Sequence, residues 1–134
     1  MDKQTNTPEV FRLNIEVGEL DHAIGFYDTL LGVAGRRDRG ARVYYSCGAV
    51  TLQVVDTTDA GGPHPLPKGL YFMVNDIEAV FERAKALRCV SLDDVHGESG
   101  GDIVVRPWGE RSFYAYDPWG NPLCFVDGST VYAG

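Results

Sequence analysis

Residues that would mark a secreted or membrane-bound protein are scarce in this chain. Its three cysteines, Cys47, Cys89 and Cys124, are an odd number without motif spacing, so we expect no disulfide framework. No apolar run approaches membrane-spanning length, and the first residues lack the apolar core of a signal peptide. These absences favour a cytoplasmic protein in a reducing compartment, with no membrane partner.

Positively charged residues are also fewer than negatively charged ones. The 12 Lys and Arg residues stand against 19 Asp and Glu residues, which gives a formal net charge of -7. Because such a surface repels a phosphate backbone, we expect no nucleic-acid partner, whereas a cationic small molecule would be attracted. The 134 residues, 44% of them hydrophobic, are enough to build a core, and they predict a single domain over residues 1–134.

Motifs of several common enzyme chemistries are missing as well. The glycine-rich stretch 97–101 has neither the spacing nor the lysine of a phosphate-binding loop. There is no Gly-x-Ser-x-Gly segment, and nothing identifies a base that would activate one of the cysteines. The sequence therefore gives little support to phosphoryl transfer or to nucleophilic catalysis.

What the sequence does contain is an internal repeat. Residues 17–24 align with residues 74–81 at an offset of 57, and in both segments a strand-ending valine leads through an acidic turn into a helix. Residues 51–56 align with residues 122–127 at an offset of 71, so the second copy has longer connections before its last strand. A duplicated unit of this kind can build a concave sheet around one pocket.

Periodicity predicts the elements of the first copy. Apolar and polar residues alternate over 11–17, which predicts a strand with one polar face. An apolar stripe from Asp21 onward predicts an amphipathic helix that ends at Gly32, where a capping glycine belongs. Residues 35–40 are interpreted as a basic turn, and strands are predicted at 42–47 and 51–56. This first module covers about residues 9–57.

The second module follows a Pro- and Gly-rich linker at about 58–67 and covers about residues 68–128. A strand is predicted at 70–74 and a helix with Asp76 near its start. Residues 93–101 are interpreted as a polar loop. Further strand material is predicted at 89–91, 103–106, 112–116 and 123–127.

Three segments carry a family resemblance: VGELDHAIGFY at 17–27, Val-Asn-Asp-Ile-Glu at 74–78, and FYAYDPWGNPL at 113–123. With them the chain resembles, over about residues 9–128, the vicinal oxygen chelate superfamily of glyoxalase I, extradiol dioxygenases, and fosfomycin and bleomycin resistance proteins. The resemblance implies an α+β fold of two tandem βαβββ modules. Their sheets would form a cupped half-barrel with the helices on the outside, commonly completed in a homodimer.

The metal enzymes of this superfamily take one ligand from the first strand and one from the last strand of each module. By position, the resemblance assigns these places to Arg12 and Gln53 in the first module and to Gly69 and Cys124 in the second. Arginine stays protonated, glycine has no side chain, and glutamine and cysteine are donors of unmatched softness. We therefore expect neither a catalytic metal nor another cofactor.

The three histidines are the remaining candidates for metal ligands. His22 lies in the predicted helix and His64 in the linker. His96 lies in an acidic loop with Asp93, Asp94 and Glu98, which we interpret as a solvated loop in preference to a surface cation site.

The segment Pro-Trp-Gly-Glu-Arg at 107–111, placed just before Asp-Pro-Trp-Gly-Asn at 117–121, is similar to the bleomycin resistance branch. In that branch metal ligation is lost, and the two grooves of a dimer sequester a flat, cationic drug. The resemblance implies ligand-binding residues at Arg12, Asn14, Glu16, Gln53, Trp108, Tyr114, Tyr116 and Cys124. Arg111 could bind an acidic ligand group, but we favour a structural role in which it anchors the turn through Asp117.

The charge of the ligand is left open by the first strand. Glu16 near an aromatic wall favours a cation, whereas Arg12 favours an anion, and a pair between the two would leave the pocket neutral. The leading hypothesis is a metal-free protein that sequesters a small, antibiotic-like organic molecule. The alternatives are a lyase or dioxygenase with displaced ligands or a metal-independent isomerase, and an interaction protein whose cup receives a partner's side chains.

Overall fold

The structure, a computed structural model, describes residues 6–133, and its elements fall into two similar series. The first series is β1 (Arg12–Val17), α1 (Leu20–Leu31), β2 (Arg36–Arg37), β3 (Arg42–Cys47) and β4 (Val50–Asp56). The second series is β5 (Leu70–Val74), α2 (Ile77–Ala86), β6 (Asp94–Val95), β7 (Glu98–Ser99), β8 (Val104–Val105), β9 (Arg111–Tyr116) and β10 (Pro122–Asp127).

The two series form two four-stranded sheets of the same topology. The strand orders are β1-β4-β3-β2 and β5-β10-β9-β8, and β6 and β7 form a separate hairpin. In each sheet the first strand runs parallel to the last, and the remaining pairs are antiparallel. The fold class implied by the resemblance is confirmed: the protein is an α+β fold of tandem βαβββ modules.

One face of each sheet is covered by its helix, as the alternating sequence predicts. In β1, Ile15 and Val17 are fully buried against the helix. Asn14, which precedes Ile15, points to the opposite face of the sheet. The stripe of α1 residues Ala23, Phe26, Tyr27 and Leu30 is buried on the same side. Burial of each large apolar side chain contributes about 1.5–3 kcal/mol. The sheet face away from the helix is left for polar and aromatic residues, and we call it the open face.

The turn at 117–121 ties the two modules together. Tyr27 in α1 donates its hydroxyl hydrogen to Asp117 Oδ2 at 2.6 Å. Asn121 Nδ2 donates to the Glu16 carbonyl oxygen at 2.9 Å, and Asn121 Oδ1 accepts from the Leu66 backbone N–H at 2.8 Å. The turn motif of the second module therefore satisfies buried polar groups of the first module and of the linker.

Local signals for the helix ends are confirmed. Gly32 caps α1 with a φ of 72°, a left-handed conformation that favours glycine. The Asp76 side chain accepts from the Ala79 backbone N–H at 3.1 Å at the start of α2. No helix in residues 6–133 is long and apolar enough to cross a membrane.

Three short segments differ from the predictions. The predicted turn at 35–40 contains the edge strand β2, and the predicted loop at 93–101 contains the β6–β7 hairpin, because two-residue polar strands leave no periodic signal. The strand predicted at 89–91 is reduced to one bridge between Val90 and Ala115. Ser91 ends it, because its hydroxyl oxygen accepts from the Asp93 backbone N–H and turns the chain away.

Candidate ligand-binding faces

The open face of the first sheet is polar and solvent-facing. Asn14 of β1 lies beside Gln53 of β4 in the parallel register, and Gln53 Nε2 donates to Asn14 Oδ1 at 2.9 Å. Tyr44 of β3 continues this row, because it pairs with Gln53. The two amides satisfy one another across neighbouring strands, so the centre of this face is already occupied by a hydrogen-bonded pair.

Glu16, on the same face, is engaged by the linker and not by Arg12. Its Oε1 accepts from the His64 backbone N–H at 2.9 Å, lies 3.2 Å from His64 Nδ1, and accepts from Thr57 Oγ1 at 3.2 Å. These bonds, that of the His64 backbone first, hold the pKa of the Glu16 carboxyl below its usual value. The neutral Arg12–Glu16 pair considered from the sequence does not form.

The open face of the second sheet is built from aromatic and apolar side chains. Tyr71 of β5, Cys124 of β10 and Tyr114 of β9 form one row across the strands. The two tyrosine hydroxyl oxygens lie 3.2 Å apart, on either side of Cys124, which is 0% exposed. Burial raises the pKa of the Cys124 thiol to about 11. A ligand on this face would therefore touch the tyrosines and not the thiol.

Trp108 lines a cavity of about 650 Å³ on this second open face. The other lining residues are Tyr71, Phe72, Met73, Glu110, Val126, Val131 and Tyr132. Trp108 Nε1 donates to Glu110 Oε1 at 2.7 Å, and the other carboxylate oxygen of Glu110 accepts from the Tyr132 backbone N–H at 2.8 Å. The buried Glu110 thus fixes both the indole ring and the C-terminal segment beside the cavity.

Arg106 is a buried residue of this region that sequence reasoning did not select. It is 2% exposed and donates from Nε to Ser112 Oγ and from its terminal nitrogens to the backbone oxygens of Ser99, Asp102 and Ser112, at 2.9–3.3 Å. Its guanidinium also lies 5.1 Å from the centre of the Tyr114 ring. One ring face of Tyr114 is therefore covered from within the protein. The available signal was a single charged residue at the end of an apolar strand.

Tyr116 does not join the other expected ligand contacts. Its hydroxyl donates to Asp93 Oδ2 at 3.0 Å, and it lines a cavity of about 710 Å³ between α1 and the segment 87–93. The eight residues expected from the sequence are thus divided among three places. Arg12, Asn14, Glu16 and Gln53 lie on the first open face, Trp108, Tyr114 and Cys124 lie on or behind the second, and Tyr116 lies apart.

Arg111 has a structural role, but the expected partner is wrong. Its guanidinium pairs with Asp127 at 3.2 Å and with Glu78 of α2, on the helix side of the sheet. Residue 111 alternates with Ser112 along β9, so its side chain points away from the open face. Asp117 instead accepts from Tyr27 and from the backbone of its own turn.

The side chains at the superfamily's ligand places do not fit a divalent metal. The register differs by two residues from the expected one: Asn14 lies opposite Gln53, and Tyr71 lies opposite Cys124, whereas Arg12 pairs with Thr51 and Gly69 precedes β5. Two paired amides, a phenol and a buried thiol of raised pKa offer no carboxylate or imidazole donor.

Histidines elsewhere do not supply a metal site either. Among residues 6–133, no three His, Cys, Asp or Glu side chains are grouped so that they could hold an ion. His22 and His96 make edge contacts with Trp119 and Trp108, with ring centres 5.3 and 4.8 Å apart. His64 lies against Glu16.

Several solved structures have a fold similar to that of this chain. The chain is similar to Oxidase ChaP-H1, with a TM-score of 0.72, 23% identity, and coverage of 96% of this chain and 100% of that one. A glyoxalase/bleomycin resistance protein from Albidiferax ferrireducens T118 has a TM-score of 0.70 at 21% identity, over 87% and 95% of the chains. A lactoylglutathione lyase from Agrobacterium tumefaciens has a TM-score of 0.63 at 24% identity, over 91% and 96%.

No protein-family model matches the chain, and no curated protein matches it. The structural likenesses establish the fold alone, because all three identities are below 25%. The protein has the fold of the glyoxalase/bleomycin resistance proteins, as the sequence resemblance implied. Its function must be argued from the two open faces.

Proposed function

We propose that the protein binds a small organic molecule on the open face of the second sheet, without a catalytic metal. The observation that carries this proposal is the cavity beside Trp108, whose walls are the rings of Tyr71 and Tyr132 and the side chains of Met73 and Val126. Rigid aromatic walls around a few fixed polar groups are typical of small-molecule sites. Stacking on such a ring contributes about 0.5–1.5 kcal/mol beyond the area that is buried.

We further propose a homodimer in which the groove is completed by the second copy. Among the described residues, β1 and β5 each pair on one side only, so each sheet has a free edge at its first strand. Tyr71 and Met73 on β5 are 54% and 69% exposed, and Tyr132 beside them is 61% exposed. An apolar patch of this kind favours a covering partner. Trp119, in the turn at 117–121, is partly buried against the core.

Sequestration is the biological role that we propose for this binding. The first strand's ligand places lack metal donors, and the name of one similar structure includes bleomycin resistance. A protein that binds a toxic organic molecule tightly lowers its free concentration without altering it. Such a role needs affinity and abundance, and it needs no catalytic group.

The test is calorimetric titration of the purified protein with bleomycin and with flat aromatic ligands. Trp108→Ala should weaken binding about tenfold, which corresponds to about 1.4 kcal/mol. Trp108→Phe is the matched control, because it keeps an aromatic face and removes the bond to Glu110; it should bind within about threefold of wild type. Binding that is indifferent to Trp108→Ala would place the site elsewhere. Light scattering on the same samples should give a dimer mass, and a monomer mass at every concentration would contradict the assembly.

The metal-dependent lyase or dioxygenase stays as the alternative outcome. It predicts about one equivalent of divalent metal per chain in protein purified without chelator. If the displaced donors included Gln53, Gln53→Ala would lower that occupancy, and both results together would replace the binding-protein proposal with an enzyme.

A further inference from the structure

We infer that the open face of the first sheet contains a binding site for the anionic group of a small organic molecule, with Arg12 and Arg36 as its principal contacts. This inference adds an anion site on the first sheet and goes beyond the proposed function of the second sheet. The anion itself, a carboxylate or a phosphate, would bind at these arginines whether or not an aromatic ring is attached.

Geometry brings the two arginines to one cavity. Arg12 lies on β1 and Arg36 on β2, at opposite edges of a four-stranded sheet, so the two strands are about 14 Å apart. Both line a cavity of about 430 Å³ together with Thr51 and Tyr44 of the two inner strands. Both arginines thus line one concavity whose floor offers two hydroxyl groups.

The charges in this cavity are not neutralised from within. Among residues 6–133 neither Arg12 nor Arg36 forms an ion pair. The Arg36 guanidinium donates to Ser46 Oγ at 2.8 Å and lies 6.0 Å from the centre of the Tyr44 ring, and the Arg12 guanidinium lies 4.9 Å from the centre of the Phe11 ring. Arg37, also at the cavity, is paired with Asp21 at 2.7 Å. The carboxylate at the rim, Asp38, accepts from the backbone N–H of Arg39 at 2.7 Å.

Glu16, the other acidic group of this face, is held by His64 and Thr57 and is not turned toward the arginines. The face is therefore locally positive on a chain whose net charge is -7. Guanidinium groups with free donors bind carboxylate and phosphate oxygens in pairs of parallel hydrogen bonds. Two arginines in one concavity suit a single anionic group, whereas a nucleic-acid strand needs a continuous basic track.

The experiment uses three probes on the full chain: inorganic phosphate, 2-naphthoate, and its neutral isostere 2-naphthamide. Phosphate should shift the NMR signals of Arg12, Arg36 and Tyr44 and leave those around Trp108 unchanged. In calorimetry 2-naphthoate should bind about tenfold more tightly than 2-naphthamide, since hydrogen bonds to a charged group are the stronger kind. That preference should shrink as salt is added, because the arginines are exposed.

The double variant R12Q/R36Q should abolish the phosphate shifts and remove the preference for 2-naphthoate, with 2-naphthamide binding unchanged. Lys85→Gln is the matched control: it removes one positive charge from the outside of α2 and should leave all three titrations unaltered. Circular dichroism of each variant should match wild type.

Failure of this inference and failure of the proposed function give different results. If phosphate shifts are absent or persist in the double variant, and both naphthalenes bind equally, the anion site is wrong and the aromatic groove stands. If phosphate binds at the arginines but neither naphthalene responds to Trp108→Ala, the anion site stands and the aromatic groove is wrong. If none of the probes binds, both are wrong.

Discussion

The two open faces occupy equivalent places in the repeat, yet they present different chemistry. In the first sheet the central row is Asn14, Gln53 and Tyr44; in the second it is Tyr71, Cys124 and Tyr114. The first row joins its two amides by a hydrogen bond, and the second encloses a thiol behind two tyrosine hydroxyls. The same strand topology therefore presents a polar row in one module and an aromatic row in the other.

The helix side of each sheet is constrained by packing in the core, whereas its open face is not. The helix sides of both sheets carry apolar residues, such as Val54 and Phe125, because both sides pack into the same core. The open faces do not pack into a common core, so equivalent positions of the two modules can carry different residue types.

The turn at 117–121 joins the two modules that carry the open faces. Disrupting this turn should therefore have the largest effect on the free energy of unfolding. Asp117 is 4% exposed and accepts from Tyr27, from two backbone N–H groups of its turn and from the Asn121 side chain. Asp117→Ala leaves several buried donors without partners, so we expect the free energy of unfolding to fall by about 3 kcal/mol. Urea denaturation followed by fluorescence measures this loss.

Two controls limit the interpretation of that result. Tyr27→Phe removes a single bond to the same carboxylate and should cost about 1 kcal/mol. Asp59→Ala removes an exposed carboxylate and should change the unfolding free energy by less than about 0.5 kcal/mol. If Asp117→Ala were no worse than Asp59→Ala, the turn would not be what joins the modules.

A smaller effect is expected on the alkylation rate of Cys124, the thiol of the second open face. Because Cys124 is enclosed by Tyr71 and Tyr114 and its pKa is raised to about 11, iodoacetamide should not alkylate it in the native protein at about pH 8. Tyr71→Ala removes one cover and should speed alkylation of Cys124 at least about tenfold. Peptide mass spectrometry after timed labelling gives the rate at each cysteine.

Cys47 and Cys89 serve as internal references for that experiment. Cys89 is buried, with a pKa raised by burial to about 11, and its rate should not respond to Tyr71→Ala. An equal increase at Cys89 and Cys124 would mean that the variant loosens the whole fold, and the enclosure of Cys124 by the tyrosines would then be unsupported.

The smallest effect concerns the acidic group of the first face. The folded-state pKa of Glu16 lies below its ordinary value of 4.5, so its bonds to His64 stabilise the fold above that value. This contribution is lost as the pH falls through the lowered pKa. Glu16→Gln should therefore make the loss of stability between about pH 6 and about pH 3 shallower than in wild type. Denaturant midpoints across that range give the slope, and an identical slope would contradict the role of His64.

Much of the scaffold was predictable from local patterns. Local strand and turn signals placed β1, β3, β4 and β5 within one residue of their observed bounds, and the capping roles of Gly32 and Asp76 followed from residue type. The short strands β2, β6 and β7 were missed because their pairing depends on neighbours and not on any pattern of their own. The resemblance supplied the topology, which periodicity does not contain.

The candidate site was less predictable, and Glu16 shows why. Its alternation with Ile15 and Val17 put it on the open face, but its partner His64 lies in the linker, 48 positions along the chain. The sequence assigns Arg106 only to strand material at 103–106, and it favours for Arg111 a structural role at Asp117. Strand register sends Arg106 into a cage of carbonyl oxygens and Arg111 to the helix side.

The duplicated modules and the buried face of each strand follow from the sequence alone. Those properties depend on residue type and on short-range periodicity, which the order of residues specifies directly. Only the tertiary structure decided that Tyr71 and Tyr114 meet over Cys124, that Glu16 turns to His64, and that Arg12 and Arg36 share one cavity. Such contacts are fixed by sheet register, in which a slip of two residues changes every neighbour while preserving every pattern.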